Sequence, residues 1–352
     1  MTGGSAQSTQ STRSTQPETA GPSPQEGDQL RPGVLTFGET MVALRGSGPL
    51  KLGGTMQVSV AGAESNVAIG LARLGHTVRW GGAVGDDEAG ELVLRTLRAE
   101  GVDVSAASAD PEAPTGLILF EPRLPDVTRV HYYRAGSAGS RLTEGAVERA
   151  FAIAPPRVLH LTGITPALSP TAASAALLAL RLAQQAGSLV CLDVNYRARL
   201  WAADEASRVL RTWIPYVDIL IASDDELLLC LPQDTDEAGV AGPLPAQARL
   251  LLDLGVDEVV VKLGADGARV FTQDGSMDRP AKSVRAVDPV GAGDAFVAGY
   301  LSALLDGEEP GGRLERAVTT GAFAVTSPGD WEGAPTRAEL SLLGAPPGTV
   351  VR

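Results

Sequence analysis

Between residues 155 and 262 short apolar runs alternate with longer amphipathic stretches, and that order leaves few folds open. Val158 to Leu161, Leu189 to Asp193, Ile219 to Ala222 and Val259 to Lys262 read as strands. Residues 170–186, 204–213 and 245–254 between them read as helices. A helix after each strand carries the chain back to the start of the next, so neighbouring strands run parallel and helices cover both faces of the sheet. The N-terminal half opens in the same way. Val34 to Gly38 reads as a first strand. Val67, Leu71 and Leu74 share one face of a helix from about Glu64 to Leu74, and Gly75 is placed to terminate it. Trp80 to Val84 follows as a strand, and Ala89 to Ala99 as a helix closed by Gly101.

Two patches, near residues 42–60 and 115–134, break this alternation. Both are short, interrupted by Gly and Pro and partly alternating in polarity, the pattern of strands and turns. Paired, they would make a small β-sheet lid beside the main sheet. Residues 1–31 carry almost no large apolar side chains. Such a segment buries too little surface to offset its ordering entropy, so a disordered polar tail is expected ahead of a single domain at 32–345.

Charge narrows the partners. The 352 residues carry a formal charge of −13, and Lys51, Lys262 and Lys282 are the only lysines. A chain this acidic lacks the positive face that non-specific binding to nucleic acid or anionic lipid requires. No apolar stretch is long enough to span a bilayer, and the N-terminus has no apolar signal core, so a cytoplasmic protein is expected. Cys191 and Cys230 cannot build a disulfide framework, and Cys191, inside an apolar run, reads as a buried strand residue. His76, His131 and His160 stand apart, without metal-ligand spacing.

The segment that carries chemistry is Asp288-Pro289-Val290-Gly291-Ala292-Gly293-Asp294, followed by the apolar run Ala295 to Leu305. A Gly-rich turn at the start of a helix presents free backbone N–H groups, and the helix dipole adds positive potential, so the turn suits a phosphate. Asp294 at its mouth is placed to take a proton from a substrate hydroxyl. The amides of Gly291, Ala292 and Gly293 would meanwhile stabilise charge on a transferring phosphoryl group. The local chemistry admits equally that Asp294 is a helix N-cap and the glycines a plain tight turn. Other phosphate patterns are missing. No Gly-Lys dipeptide exists for a Walker A loop, and Gly291-x-Gly293 lacks the third glycine of the dinucleotide fingerprint.

In these residues the chain resembles the ribokinase-like (PfkB) carbohydrate kinases. Asp288–Asp294 resembles their C-terminal signature, and Ala61-Gly62-Ala63-Glu64-Ser65-Asn66-Val67-Ala68 their N-terminal one. The likeness covers about residues 33–340. It implies an α/β fold with a doubly wound, mostly parallel sheet flanked by helices and a small β-sheet lid. It also implies ATP and Mg²⁺ as cofactors and, because lids in this family often pair between subunits, a homo-oligomer. Three further stretches resemble the kinases of 2-keto-3-deoxygluconate: His131-Tyr132-Tyr133-Arg134-Ala135-Gly136-Ser137-Ala138, Leu161-Thr162-Gly163-Ile164-Thr165, and Asp193-Val194-Asn195-Tyr196-Arg197 with Leu200-Trp201 beyond it. That likeness implies that Tyr132, Arg134 and Arg197 contact a sugar acid and that Gly62, Ile164 and Asp330 line the same pocket.

The implied chemistry is coherent, since a carboxylate substrate suits the planar, always-charged fork of arginine. On the residues alone, Arg134 reads as a solvated lid residue and Arg197 as a strand-end salt bridge. On the nucleotide side, Ser223-Asp224-Asp225-Glu226 stands where the family has Asn-x-x-Glu, which implies that Glu226 organises Mg²⁺ through water. The run reads equally as the polar start of a helix reaching Leu231. The likeness further places Asn195, Ser223, Lys262, Gly264 and Gly267 beside the nucleotide, although Gly264 and Gly267 also suit a plain turn. Two positions depart from the family pattern. Ile118 stands where related sugar-acid kinases carry Tyr, and Val318 where an Asn often lies near adenine. The expected activity is phosphoryl transfer from MgATP to a primary hydroxyl of 2-keto-3-deoxygluconate. A fructokinase or ribokinase acting on a neutral sugar is the alternative. A non-catalytic sugar-acid-binding protein is opposed by the presence of both Asp294 and Glu226.

Overall fold

The computed structural model describes residues 1–4, 33–124, 127–232 and 242–345. The chain divides into Met1–Arg31 and Pro32–Arg352, and every helix and strand among the described residues belongs to the second unit. Beyond Gly4, the tail expected at residues 1–31 lies outside the described residues.

Elements are numbered along the chain. The main sheet contains β1 (Val34–Phe37), β4 (Val78–Gly81), β9 (Val158–Thr162), β10 (Leu189–Asp193), β11 (Ile219–Ser223), β12 (Glu258–Lys262), β13 (Ala268–Thr272) and β14 (Gly275–Arg279), in the order β14-β13-β12-β11-β10-β9-β1-β4. From β4 to β12 every neighbouring pair is parallel, and β13 and β14 close one edge as an antiparallel hairpin. The helices are α1 (Ala63–Arg73), α2 (Glu88–Ala99), α3 (Glu144–Ile153), α4 (Thr165–Leu168), α5 (Pro170–Ala186), α6 (Ala203–Trp213), α7 (Leu244–Asp253), α8 (Ala292–Leu305) and α9 (Pro310–Ala324).

Strand side chains alternate between the two faces of this sheet, and each face has its own core. Leu159, Leu161, Leu192, Leu220, Val259 and Val261 pack with α3, α5, α6 and α7. Val158, Cys191, Ile219, Ile221 and Val260 pack with α1, α2, α8 and α9. Strands buried on both sides are mostly apolar, which is why β9 to β12 were readable as near-continuous runs. α8 is apolar almost all round and correspondingly buried from Asp294 to Ala303.

The two misfit patches pair as expected. They supply β2 (Met41–Gly46), β3 (Met56–Ala61), β7 (Leu117–Leu124) and β8 (Val127–Tyr133), in a second sheet of order β3-β2-β7-β8. Met41, Ala43, Ala61, Ile118 and Phe120 form the apolar face of this lid, with Val130 and Val290 against it.

Some readings need correction. Trp80 to Val84 is two strands, because pairing switches partner at Gly82: Gly81 pairs with Phe37 in the main sheet, whereas β5 (Ala83–Gly85) pairs with β6 (Ser108–Asp110). Ser223 to Leu231 holds only a 3-10 turn at Leu227–Cys230, since the Glu226 side chain folds back onto the Ser223 amide at 2.9 Å. The hairpin β13–β14 and helix α9 were not anticipated, although Asp274-Gly275 and Pro310 at a first helical position mark them. Among the described residues no helix is long and apolar enough to cross a membrane.

Candidate active site

In parallel α/β sheets, ligand sites form beyond the carboxyl ends of the strands. Here β9, β10, β11 and β12 end at Thr162, Asp193, Ser223 and Lys262, and the loop before α8 faces them under the lid. Two cavities meet at this edge. One, of about 410 Å³, lies between the lid and the strand ends. The other, of about 750 Å³, runs along α8 and α9 past Ala281, Val284, Phe296, Val318 and Ala322. Lys262, Pro289 and Gly293 line both.

Every candidate residue lines one cavity or the other. Gly62, Tyr132, Arg134, Ile164, Asn195, Arg197, Ser223, Glu226, Gly291, Asp294 and Asp330 face the smaller, while Gly264, Gly267 and Ala292 face the larger. Ile118 and Val318, the two departures, also lie in the walls, one in each cavity.

Asp294 is not a cap. Gly291 is the N-cap of α8 and no side chain accepts from the first turn; the Ala292 amide reaches the Pro289 carbonyl only at 3.4 Å, and the turn presents its amides to an anion. Gly291 has φ 76°, and a Cβ there would sit 1.7 Å from the Asp330 carbonyl oxygen, so glycine is required twice over. The Asp294 carboxylate is 9% exposed and its Oδ2 accepts from Asn66 Nδ2 at 2.7 Å. Burial pushes its pKa up to about 7, with the Asp193 charge adding, against the pull of Asn66, Arg197 and Lys262. A carboxylic acid that titrates near neutrality is poised to exchange a proton.

Behind it, Lys262 Nζ donates to Asp193 Oδ1 at 2.7 Å and Asn195 Nδ2 to Asp193 Oδ2 at 3.1 Å. Burial works against the Lys262 charge, but Asp193, Glu226 and Asp294 hold its pKa above the ordinary value. Asn195 sits at φ 41°, a strained conformation for a residue with a side chain. The buried Oδ1 atoms of Asn195 and Asn66 have no hydrogen-bond partner, so polar groups of the site are left open to a ligand.

Glu226 accepts from the amides of Tyr196 at 2.7 Å and Ser223 at 2.9 Å. No group of three or more His, Cys, Asp or Glu that could hold a metal exists among the described residues. A single carboxylate such as Glu226 still suits Mg²⁺, which keeps most of its waters and is held by one or two carboxylates together with substrate phosphates.

The two cavity arginines differ from the reading that both hold a sugar acid. Arg134 is neither solvated nor unpaired, because its Nε donates to Glu39 Oε2 at 2.6 Å and the side chain is 10% exposed. Glu39, which also accepts from the Ser137 hydroxyl, was missed by the sequence reading; its signal was a carboxylate directly beyond the first strand. Arg197 is exposed, its Nη1 donates to the Tyr196 carbonyl at 3.1 Å, and it makes no ion pair among the described residues. It is therefore the cavity guanidinium still open to a carboxylate. Glu64, buried in the wall of the same cavity, accepts from Thr162 at 2.6 Å and Thr165 at 2.9 Å, and burial raises its pKa despite those bonds and the Arg134 charge.

The sequence profile of the pfkB family carbohydrate kinases matches residues 32–337. The chain is 38% identical over 317 residues to the 2-dehydro-3-deoxygluconokinase of Thermoproteus tenax, covering 88% of this chain and 93% of that one. It is 36% identical over 315 residues to the 2-dehydro-3-deoxygluconokinase of Bacillus subtilis, covering 88% and 94%. The crystal structure of 2-dehydro-3-deoxygluconokinase from Thermotoga maritima superimposes with a TM-score of 0.78 at 26% identity, over 90% of this chain and 100% of that one.

Proposed function

The chain belongs to the pfkB family of carbohydrate kinases, and from that premise we propose that it phosphorylates 2-keto-3-deoxygluconate (2-dehydro-3-deoxygluconate) with ATP, giving the 6-phosphate. The observation that carries the reading is Asp294, a buried carboxylate with a pKa near 7 in the smaller cavity, next in sequence to Gly293 where the two cavities meet, on the first turn of an uncapped helix. The sugar fills the smaller cavity and ATP the larger, so the γ-phosphoryl group lies at Gly293.

Asp294 takes the proton of the primary hydroxyl as the bond from that oxygen to phosphorus forms. The bond from phosphorus to the bridging oxygen breaks and ADP leaves. The Gly291–Gly293 amides and Lys262 hold the charge on the moving group. Glu226 would hold Mg²⁺ through water together with the phosphates, and the ion would supply further charge neutralisation there. The lid's apolar face of Met41, Ile118 and Phe120 keeps water from the phosphoryl group.

Arg197 supports an acidic substrate over a neutral sugar, because an unpaired guanidinium in the cavity wall gives a carboxylate a partner that fructose or ribose cannot use. Ile118 cannot read a hydroxyl, so the galactonate-derived epimer is accepted as well. The test is coupled ADP release across a panel of both keto acids, fructose and ribose at equal concentration. Higher kcat/KM for a keto acid is expected. Faster turnover of fructose or ribose would overturn the substrate assignment and leave the kinase assignment standing.

A further inference from the structure

One guanidinium joins three parts of the site that lie far apart in sequence. Arg45 on β2 pairs through Nη2 with Asp330 Oδ2 and through Nη1 with Asp288 Oδ2 at 3.5 Å. Its guanidinium carbon lies 4.0 Å from the centre of the Phe120 ring, and its side chain is only 17% exposed. Each partner belongs to a different working element. Asp330 lines the sugar cavity, and its backbone carbonyl lies against Gly291. Asp288 opens the Gly-rich loop, accepting from the Val290 amide at 3.0 Å, and takes the Gly329 amide at 3.3 Å. The loop that bears Asp330 also holds the lid from a second side, where Trp331 Nε1 donates to the Val60 carbonyl at 3.0 Å.

We propose that Arg45 is a positioning residue for the sugar. It occupies one oxygen of Asp330, leaves Oδ1 to accept a substrate hydroxyl, and through Asp288 sets the lid strand in register with the phosphate-binding loop. Asp330 Oδ1 takes no hydrogen bond among the described residues, which leaves it free for that task. The inference rests on the kinase reading above.

The charge balance gives it a readout that a merely structural role would lack. The groups facing Asp330 are Arg45 from β2, Asp288 from the loop before α8 and Glu332 from its own loop. Across the cavity stand Arg197, and Arg134 paired with Glu39. Burial pushes the Asp330 carboxyl up to about 6, Glu332 and Asp288 push the same way, and Arg45 is the opposing charge in contact. Removing Arg45 leaves only raising influences among its close neighbours, so the Asp330 pKa rises further and the protonated form, a donor where the carboxylate is an acceptor, gains population.

The experiment compares Arg45→Met, Arg45→Lys, Asp330→Asn and the double variant Arg45→Met with Asp330→Asn. Arg45→Met should raise KM for the sugar roughly ten- to a hundredfold, the span of one charge-assisted hydrogen bond, while KM for ATP stays within about threefold. The acid limb of kcat/KM should move to higher pH by about one unit or more, and Arg45→Lys should restore part of both effects. In the Asp330→Asn background the Arg45→Met change should add little, because its target is already gone. An unchanged sugar KM and pH limb in Arg45→Met, or equal losses for sugar and ATP, would overturn the inference. Carbon-13 carboxyl titration of the free protein decides separately: the Asp330 signal should titrate at higher pH in Arg45→Met, and an unmoved midpoint overturns the inference. Wild-type turnover keeps the two claims apart. A wild-type enzyme inactive on every sugar acid strikes the functional reading, and the titration still judges Arg45.

Discussion

Replacing Asp294 by Asn deletes the basic carboxylate and little else. The amide can turn its oxygen to Asn66 Nδ2, which now donates to Asp294 at 2.7 Å, so the local packing survives. Losing a general base costs about 10² to 10⁴ in rate, or roughly 3–5 kcal/mol of barrier. Stability should move the other way. The rise of the Asp294 pKa from 3.8 to about 7 corresponds to roughly 4 kcal/mol by which burial disfavours the charged form. A carboxyl whose folded pKa lies above its unfolded value penalises the fold once pH exceeds the unfolded value. The penalty grows through pH 4 to 7 and is constant above. Asp294→Asn should therefore unfold at higher denaturant than wild type at pH 8, with the gap closing towards pH 4, while turnover falls at least a hundredfold and ATP binding is kept. In the wild type, kcat/KM should level off above pH 7, fall about tenfold per pH unit just below it as Asp294 protonates, and fall more steeply below about 6 where Asp330 protonates as well. Stopped-flow or coupled turnover and urea melts at both pH values check these outcomes. A variant with more than half the wild-type turnover, or a wild-type profile flat through pH 7, would refute the reasoning.

Gly291→Ala should destabilise by more than about 2 kcal/mol and abolish turnover, because it combines φ 76° with a Cβ 1.7 Å from the Asp330 carbonyl; a urea midpoint within 0.5 M of wild type would contradict the close approach, given a slope of about 1–3 kcal/mol per molar. Arg197→Lys should weaken the preference for the keto acid over fructose, because a point charge cannot reproduce a bidentate contact of roughly 1.5–3 kcal/mol, whose complete loss would cost about ten- to a hundredfold; an unchanged kcat/KM ratio would remove Arg197 from the acid-binding role.

How much of the molecule could be read from the sequence depends on how local each signal is. Strands β9 to β12 were legible because a strand buried on both faces reads as a near-continuous apolar run, and α5 because it is an amphipathic stretch set between two such runs. The Gly-rich turn at the start of α8 was legible because its two glycines stand directly ahead of an apolar helical run, and the structure imposes one of them, Gly291, through its positive φ and the close Asp330 carbonyl. The pairings across the site were not. Arg134 and Glu39 stand 95 residues apart, and Arg45 and Asp330 stand 285 apart, so no local pattern ties either pair. Composition alone makes such charges look solvated, and only the folded sheet reveals them as partners. The break at Gly82 escaped for a related reason, since the switch from Phe37 to Ser108 as partner depends on strands elsewhere in the chain.

The central claim, phosphoryl transfer to the primary hydroxyl of a keto acid by a site built around Asp294, is tested most directly by the product. Enzyme, ATP and Mg²⁺ are incubated with 2-keto-3-deoxygluconate and followed by phosphorus NMR with proton correlation. A new phosphomonoester signal correlated to the C6 protons, growing as ADP appears, is the predicted result. ADP formed with no new phosphomonoester, or a phosphoryl group on another carbon, would contradict it.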